Sequence, residues 1–446
     1  MKKLLLSLIA GCLFFVSSTF AQLPPSVLVG YWHTWNTASA PFFPLRDVDS
    51  RYNVINIAFA VSWDGTGTDL IVPFTNEGSY TRSNLVDDVA LVQSRGKKVL
   101  LSIGGATGSF KLSSDADRDT FIQRTKNLIL EFGVDGIDID IEQQQFVCDG
   151  NPNSKIISTV ANPQGSILRM IQAIDSLLDW YQEQFDRKMI LTMAPETIYV
   201  NGALSVWAVN NACGGAYLPI IHALEDDIDL LMVQLYNSGS LFDLDGVIHE
   251  QGDEDFIISA TEAIIRGFTG VGGVGTHSGI AANKIAVALP SCGSSFPGIS
   301  VIENAVNYLR VPINQPGDYQ LKQPGYPTIR AMMTWSINND AASCGGGVYK
   351  FAGAYQNTIG NVLAVNDVEK ENMITSYYPN PATETITVNL VDNGVVNNLQ
   401  IISLTGSVIQ EWNGLGVNPT INVSEVPEGI YLLKANELTP SRLVIE

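Results

Sequence analysis

Three carboxylates stand two residues apart in the run Val134-Asp135-Gly136-Ile137-Asp138-Ile139-Asp140-Ile141-Glu142. In an extended strand successive side chains point to opposite faces. Asp138, Asp140 and Glu142 therefore share one face, and the isoleucines occupy the other. Carboxylates confined together resist joint ionisation, through desolvation and like-charge repulsion, and at least one should hold its proton to unusually high pH. A carboxyl still protonated near neutrality is what general-acid cleavage of a glycosidic bond requires. The competing reading is an edge strand whose acidic face is simply solvated. It needs the segment to lie at the rim of a sheet, and the flanking sequence places it in the middle.

From residue 26 to 365 one theme recurs: a short β-branched run, a polar loop, then a longer helical pattern. The strand candidates are 26–32, 53–61, 97–105, 133–142, 188–196, 228–237, 284–290 and 329–338, with helices read at 115–133, 165–185 and 255–268. Alternation of this kind implies right-handed crossovers and a parallel sheet. Eight strands fit a closed (β/α)8 TIM barrel, with a doubly wound open sheet as the structural alternative. In a barrel the isoleucine face packs beneath the helices, and the carboxylates point towards the C-terminal mouth. The glycine-rich run 267–279 follows a helix rather than a strand and reads as a loop. The histidines show no ligand spacing, so neither metal nor cofactor is expected.

The segment Asp135-Gly-Ile-Asp-Ile-Asp-Ile-Glu142 resembles the DGxDxDxE signature of glycoside hydrolase family 18, which contains chitinases and some endo-β-N-acetylglucosaminidases. Four further segments resemble family motifs in the same order: Ser102-Ile-Gly-Gly105, Met193-Ala-Pro-Glu196, Gln234-Leu-Tyr-Asn237 and Met333-Thr-Trp-Ser-Ile-Asn338. They decide for the barrel. The resemblance implies a chitinase that cleaves chitin or chito-oligosaccharides with retention, the substrate's own acetamido group acting as nucleophile. Glu142 would be the general acid and later the base. Asp140 would hold the acetamido N–H, Asp138 would share a proton with Asp140, and Tyr236 would orient the acetamido oxygen. Trp335 would floor the sugar site, and filling of the barrel by an aromatic is its alternative. Gln234, Met193 and Asn237 carry over as substrate contacts. Tyr31 and Phe59 are candidates for the same wall, while Trp32, Trp35, Trp63 and Trp207 could line subsites or merely pack. Ser102, Gly104 and Gly105 read as structural. Some family members insert a small α+β subdomain between strands seven and eight. Here that connection is too short for one, which implies an open groove and endo-type cleavage. An endo-β-N-acetylglucosaminidase is the alternative activity, and a catalytically dead lectin the alternative class.

The chain has 446 residues, 46% hydrophobic and 16% charged, with 45 acidic against 25 basic groups and a net charge of -20. Such a surface repels phosphate backbones and anionic lipid, so neither nucleic acid nor membrane is expected as a partner, whereas a neutral polysaccharide meets no such repulsion. Residues 1–21 read as a secretory signal peptide: Lys2 and Lys3 precede an apolar run too short and too interrupted to anchor in a bilayer. A weak lipobox likeness at Ile9–Cys12 is the other option. The mature chain would keep Cys148, Cys213, Cys292 and Cys344, in an exported context that permits two disulfides. Strand order favours 148–213 and 292–344, and four free thiols are the alternative. A catalytic barrel over 22–365, a linker at 366–376 and a small all-β sandwich over 377–446 complete the organisation. Tyr378-Pro-Asn-Pro381, Ser403-Leu-Thr-Gly406, Pro427-Glu-Gly-Ile-Tyr431 and Arg442-Leu-Val444 resemble the Bacteroidetes type IX secretion sorting domain. That likeness implies the outer-membrane secretion machinery as a partner and an extracellular or cell-surface destination. A carbohydrate-binding module, the alternative, would show a row of aromatics.

Overall fold

The computed structural model describes residues 23–74, 80–108, 110–142, 158–342, 347–360, 374–390, 395–403, 407–436 and 441–445. The signal segment, Cys148, Cys344 and most of the sequence read as a linker lie outside them. The chain forms two compact units, which divide between Gly360 and Asn361.

Eight parallel strands build the first unit: β1 Val27–His33, β2 Val54–Ala60, β3 Lys98–Gly104, β4 Gly136–Asp140, β5 Ile190–Met193, β6 Leu230–Leu231, β7 Ala286–Pro290 and β8 Ala331–Trp335. Their order is β7-β8-β1-β2-β3-β4-β5-β6. Parallel bridges Leu231–Ile285 and Gln234–Ala288 join the two ends into a barrel. The fold expected from the strand pattern is the one observed. Its strand six is shorter than the run 228–237 suggested, because pairing beyond Leu231 continues only as single bridges from Gln234 to Glu196 and to Ala288.

The period-two pattern sorts the side chains. Val27, Val29, Tyr31, Val54, Ala58, Leu100, Ile190, Leu230, Ala288 and Met333 fill the barrel interior. Leu28, Ile55, Ile57, Leu101, Ile137, Ile139, Leu191 and Val287 pack outward with the helices. Helix Asp115–Phe132 is started by a capping box between Ser114 and Asp117 and stopped by Gly133 at φ 65, the pairing of cap and left-handed residue that satisfies helix ends. Gly133 thus delivers the chain into β4. At the foot of β4, Asp135 accepts from Val99 N (3.0 Å) and Gln93 Nε2 (2.8 Å) and pairs with Arg187 (3.1 Å). The first aspartate of the acidic motif is therefore an anchor at the opposite end from the cleft.

Between Pro290 and Ala331 the chain forms one helix, Ile299–Arg310, and a loop, with no strand. Buried Glu262 holds that loop by accepting from Tyr319 (2.7 Å), Tyr326 (2.6 Å) and Lys322 N (2.8 Å). Two small hairpins were not foreseen: Ser240–Phe242 with Ile248–Glu250, and Phe268–Gly270 with Gly275–His277. The second lies inside the glycine-rich run read as a loop. Its strands are three residues each, too short to leave an alternating signature.

The second unit is all-β. Antiparallel strands Ile374–Tyr378, Thr385–Leu390 and Thr420–Asn422 form one sheet, and Val395–Ser403, Val408–Val417, Gly429–Ala435 and Ser441–Ile445 form another. Val388, Leu399, Ile401, Ile421, Leu433 and Leu443 share one core. The first strand begins at Ile374, inside the stretch read as linker.

Candidate active site

Asp138 is fully buried and fully solvated by protein hydroxyls. Tyr31 donates to Oδ2 at 2.8 Å, Ser102 to Oδ2 at 2.7 Å and Thr192 to Oδ1 at 2.6 Å. Burial raises its pKa, and the three hydroxyls oppose the rise. The hydroxyls come from β1, β3 and β5, so the carboxylate ties neighbouring strands together at mid-barrel.

Asp140, one pleat higher, is 3% exposed. Burial pushes its pKa well up, and the charge of Glu142 and then of Asp138 pushes it further. Gln234 Nε2 reaches both groups, at 2.9 Å from Asp140 Oδ1 and 3.2 Å from Glu142 Oε1, and a third acceptor, Ala194 O, at 2.9 Å. Three hydroxyls occupy Asp138, and its charge still acts on Asp140, adding to the rise of that pKa. Gly104, at φ 116, makes the approach of β3 to β4 possible, since a Cβ there would sit 2.3 Å from Asp140 O. That residue and the Gly105 N–H bond to Asp140 O (2.6 Å) lock β3 against the top of β4.

Glu142 has its pKa raised to about 7. Burial is the main cause and the charge of Glu196 adds to it, while hydrogen bonds from Gln234 and Asp140 work against it. A group in that range can carry a proton at neutral pH and also release it. Activity that depends on protonated Glu142 should fall as pH rises through about 7. Glu196→Gln removes a neighbouring negative charge, so the descending limb of kcat/KM should move to lower pH. A limb that stays in place would show that Glu196 does not act on this proton.

A cavity of about 400 Å3 opens over these carboxyls. Its lining combines the aromatics Trp35, Phe59, Trp63 and Trp335 with Glu142, Gln234, Tyr236 and Asn237. Trp335 stacks on Phe59 at 5.5 Å and 12°, giving flat apolar faces of the kind that suit pyranose rings. Tyr236 is almost buried, and burial together with the charges of Asp140 and Glu142 raises its pKa well above the ordinary value. Its hydroxyl therefore stays protonated. Asn237, at φ 54, takes a hydrogen bond from Ser295 at 2.7 Å.

Two sequence-derived sugar contacts are not placed in the cavity. Met193 is completely buried in the shell between barrel and helices, because Thr192 faces inward and its successor must face out. Tyr31 is 1% exposed and donates to Asp138 instead of lining the wall. Trp32 also packs, its indole donating to Phe43 O at 2.9 Å. Cys213 and Cys292 are each disulfide-bonded.

Ser102, read as structural, donates to Asp138, and several other site residues were missed. Thr192 has the inward parity that could have marked it as a donor to the acidic strand. Tyr217, in the loop after β5, is raised in pKa by burial and then by the charges of Asp140 and Asp138. No periodicity points to it. His33, kept neutral by burial with its pKa lowered to about 4, stacks against the back of Trp35 at 4.4 Å and 8°.

The model of glycosyl hydrolases family 18 matches residues 27–303. The chain belongs to that family. A secretion system C-terminal sorting domain matches residues 376–446 and marks the chain for export. Chitinase Chi52 of Paenibacillus xylanexedens is 36% identical over 70% of this family 18 chain and 58% of its own length. Chitinase ChiA of Flavobacterium johnsoniae is 31% identical over 82% of this chain and 24% of its own length. The chain thus spans little more than half of the one relative and a quarter of the other. The solved family 18 chitinase of Chromobacterium violaceum superposes with a TM-score of 0.63 at 27% identity, covering 75% of this chain and 84% of that one. Among the described residues no helix is long and apolar enough to cross a membrane.

Proposed function

We propose that the barrel is a chitinase that cuts β-1,4 links between N-acetylglucosamine units, with retention and with the substrate's acetamido group as nucleophile. The observation that carries this reading is the Gln234 amide, whose Nε2 lies 2.9 Å from Asp140 Oδ1 and 3.2 Å from Glu142 Oε1 and so holds both carboxyls on one face of the acidic strand. In an ordinary retaining glycosidase two carboxyls stand about 5 Å apart, on opposite faces of the sugar ring. Two carboxyls on one strand face, bridged by one amide, do not stand on opposite sides of a sugar ring, so Asp140 is ill placed as nucleophile and well placed to hold a substrate group beside the acid. Glu142 donates the proton to the leaving oxygen and then activates water. Asp140 holds the acetamido N–H and stabilises its developing charge, and the protonated Tyr236 hydroxyl fixes the acetamido oxygen. Trp335 and Phe59 carry the apolar face of the ring. The short β7–β8 connection leaves the groove open, which favours endo cleavage. The C-terminal unit would engage the type IX machinery during export.

The test is to incubate the chain with N-acetylglucosamine hexamer and, separately, with a high-mannose glycopeptide. Short oligomers appearing first as β-anomers from the hexamer support the reading. Cleavage of the glycopeptide alone would assign an endo-β-N-acetylglucosaminidase. Binding of the hexamer without cleavage would make the barrel a lectin.

A further inference from the structure

Two tryptophans stand out as exposed on the barrel unit, Trp63 at 63% and Trp207 at 66%. Trp63 lines the cavity already described, and Trp207 does not. Trp207 borders a second hollow of about 120 Å3, between the loop after β5 and the hairpin that follows β6. Exposing an indole to water is unfavourable, and such surfaces commonly mark contact sites. Val206 (63% exposed) and Ile248 (56%) extend the apolar surface, while Ser205, Ser238 and Asn201 give the hollow a polar lining.

Asn201 supplies an independent sign of a ligand. It is 1% exposed and spends its Nδ2 on Ala260 O at 3.1 Å. Its Oδ1 is buried without any hydrogen-bond partner. A buried acceptor left unmatched is unfavourable until a donor reaches it, and a sugar hydroxyl or an acetamido N–H is such a donor.

The hollow adjoins the catalytic cleft, since Asn237 lines the cleft and Ser238 the hollow. Ser238 lines it, donates to Tyr236 O at 2.7 Å and accepts from Thr197 at 2.7 Å. Tyr236 lines the cleft itself, and two Cα–Cα steps of about 3.8 Å put the two residues within roughly 7.6 Å of each other. The direction also fits. Trp335, Phe59 and Trp35, from β8, β2 and the end of β1, hold the ring that is attacked. Glu142, which protonates the leaving oxygen, follows β4, and the strand order puts β5 and β6 next to it on the side away from β1 and β8. The departing part of the chain is placed by that order towards the ends of β5 and β6.

We infer that Trp207 and Asn201 form an outer docking site for the leaving-group side of an N-acetylglucosamine polymer. The indole stacks on a pyranose face, and the Asn201 carbonyl takes a hydrogen bond from the sugar. The inference rests on the hydrolase reading above. An aryl chitobioside, whose leaving group is one aromatic ring beside Glu142, should not reach the site, and the hexamer should.

The experiment compares kcat/KM of the wild type and Trp207→Ala on the aryl chitobioside and on the hexamer, with Trp207→Tyr as the conservative variant. The hexamer value should fall about tenfold in Trp207→Ala, through KM, with the aryl glycoside value and the melting temperature unchanged. Trp207→Tyr should recover most of the loss. Equal values for wild type and Trp207→Ala on both substrates would overturn the site. An equal fall on both would overturn it too, since it would place the effect on the barrel as a whole. A wild type that cuts neither substrate would fail the hydrolase reading instead, and the two failures are distinguishable.

Discussion

Glu142→Gln is expected to leave the fold and ligand binding intact while lowering kcat roughly 10²–10⁴-fold, the span associated with a positioned general acid. The amide is nearly isosteric and remains able to meet Gln234, whose Nε2 lies 3.2 Å from Glu142 Oε1. It cannot give a proton to the leaving oxygen. KM for the hexamer should change little, because the group interacts with the transition state more than with the bound substrate. An aryl glycoside with a good leaving group needs less acid assistance and should lose less activity. Equal losses on the two substrates would argue that Glu142 does not act as the acid.

Asp140→Asn should also lower kcat, by roughly 10²–10³-fold as for the loss of an electrostatic stabiliser, yet it should raise stability. Burial and the charges of Glu142 and Asp138 hold the Asp140 pKa well above its ordinary value. Between the unfolded and the folded pKa the native state binds more protons than the unfolded chain, so the Asp140 contribution weakens as pH rises through that window. At neutral pH the charged form is penalised, and asparagine removes the penalty. Thermal melts of wild type and Asp140→Asn at pH 7 should place the variant higher, and the difference should shrink at pH 4. A variant that melts lower at pH 7 would mean that the carboxyl contributes net stability, against the direction of its pKa shift.

The barrel was legible because its strands carry one kind of information. Period two on β4 put Asp138, Asp140 and Glu142 on the inner face before any coordinate was known, and the same parity separates Ser102, Leu100 and Thr192 from their outward neighbours. Met193 shows the limit. It was carried over with its motif against its own parity, and Thr192 beside it holds the inward position. Tyr31 had the right face and the wrong depth. Parity says which way a side chain points but not whether a carboxylate lies one layer below to capture it. Partners brought in by loops were less legible. Tyr217 reaches its place through a segment without repeating pattern, and Trp207 could be named only as a tryptophan that lines a subsite or packs. His33, at the end of β1, is defined only by the ring it stacks on. Hairpins of three-residue strands leave too few alternations to be seen.

Gln234 has two employments that belong to different problems. Its backbone makes the parallel bridges to Glu196 and Ala288 that close the barrel beyond β6, and its amide holds the two carboxyls of the acid pair. For anyone altering this chain by directed evolution, the two employments can be separated: the seam runs through main-chain groups that any replacement at 234 except proline retains, whereas the hold on the carboxyls is lost with the amide. A library at this position would sample altered proton donors on an intact barrel.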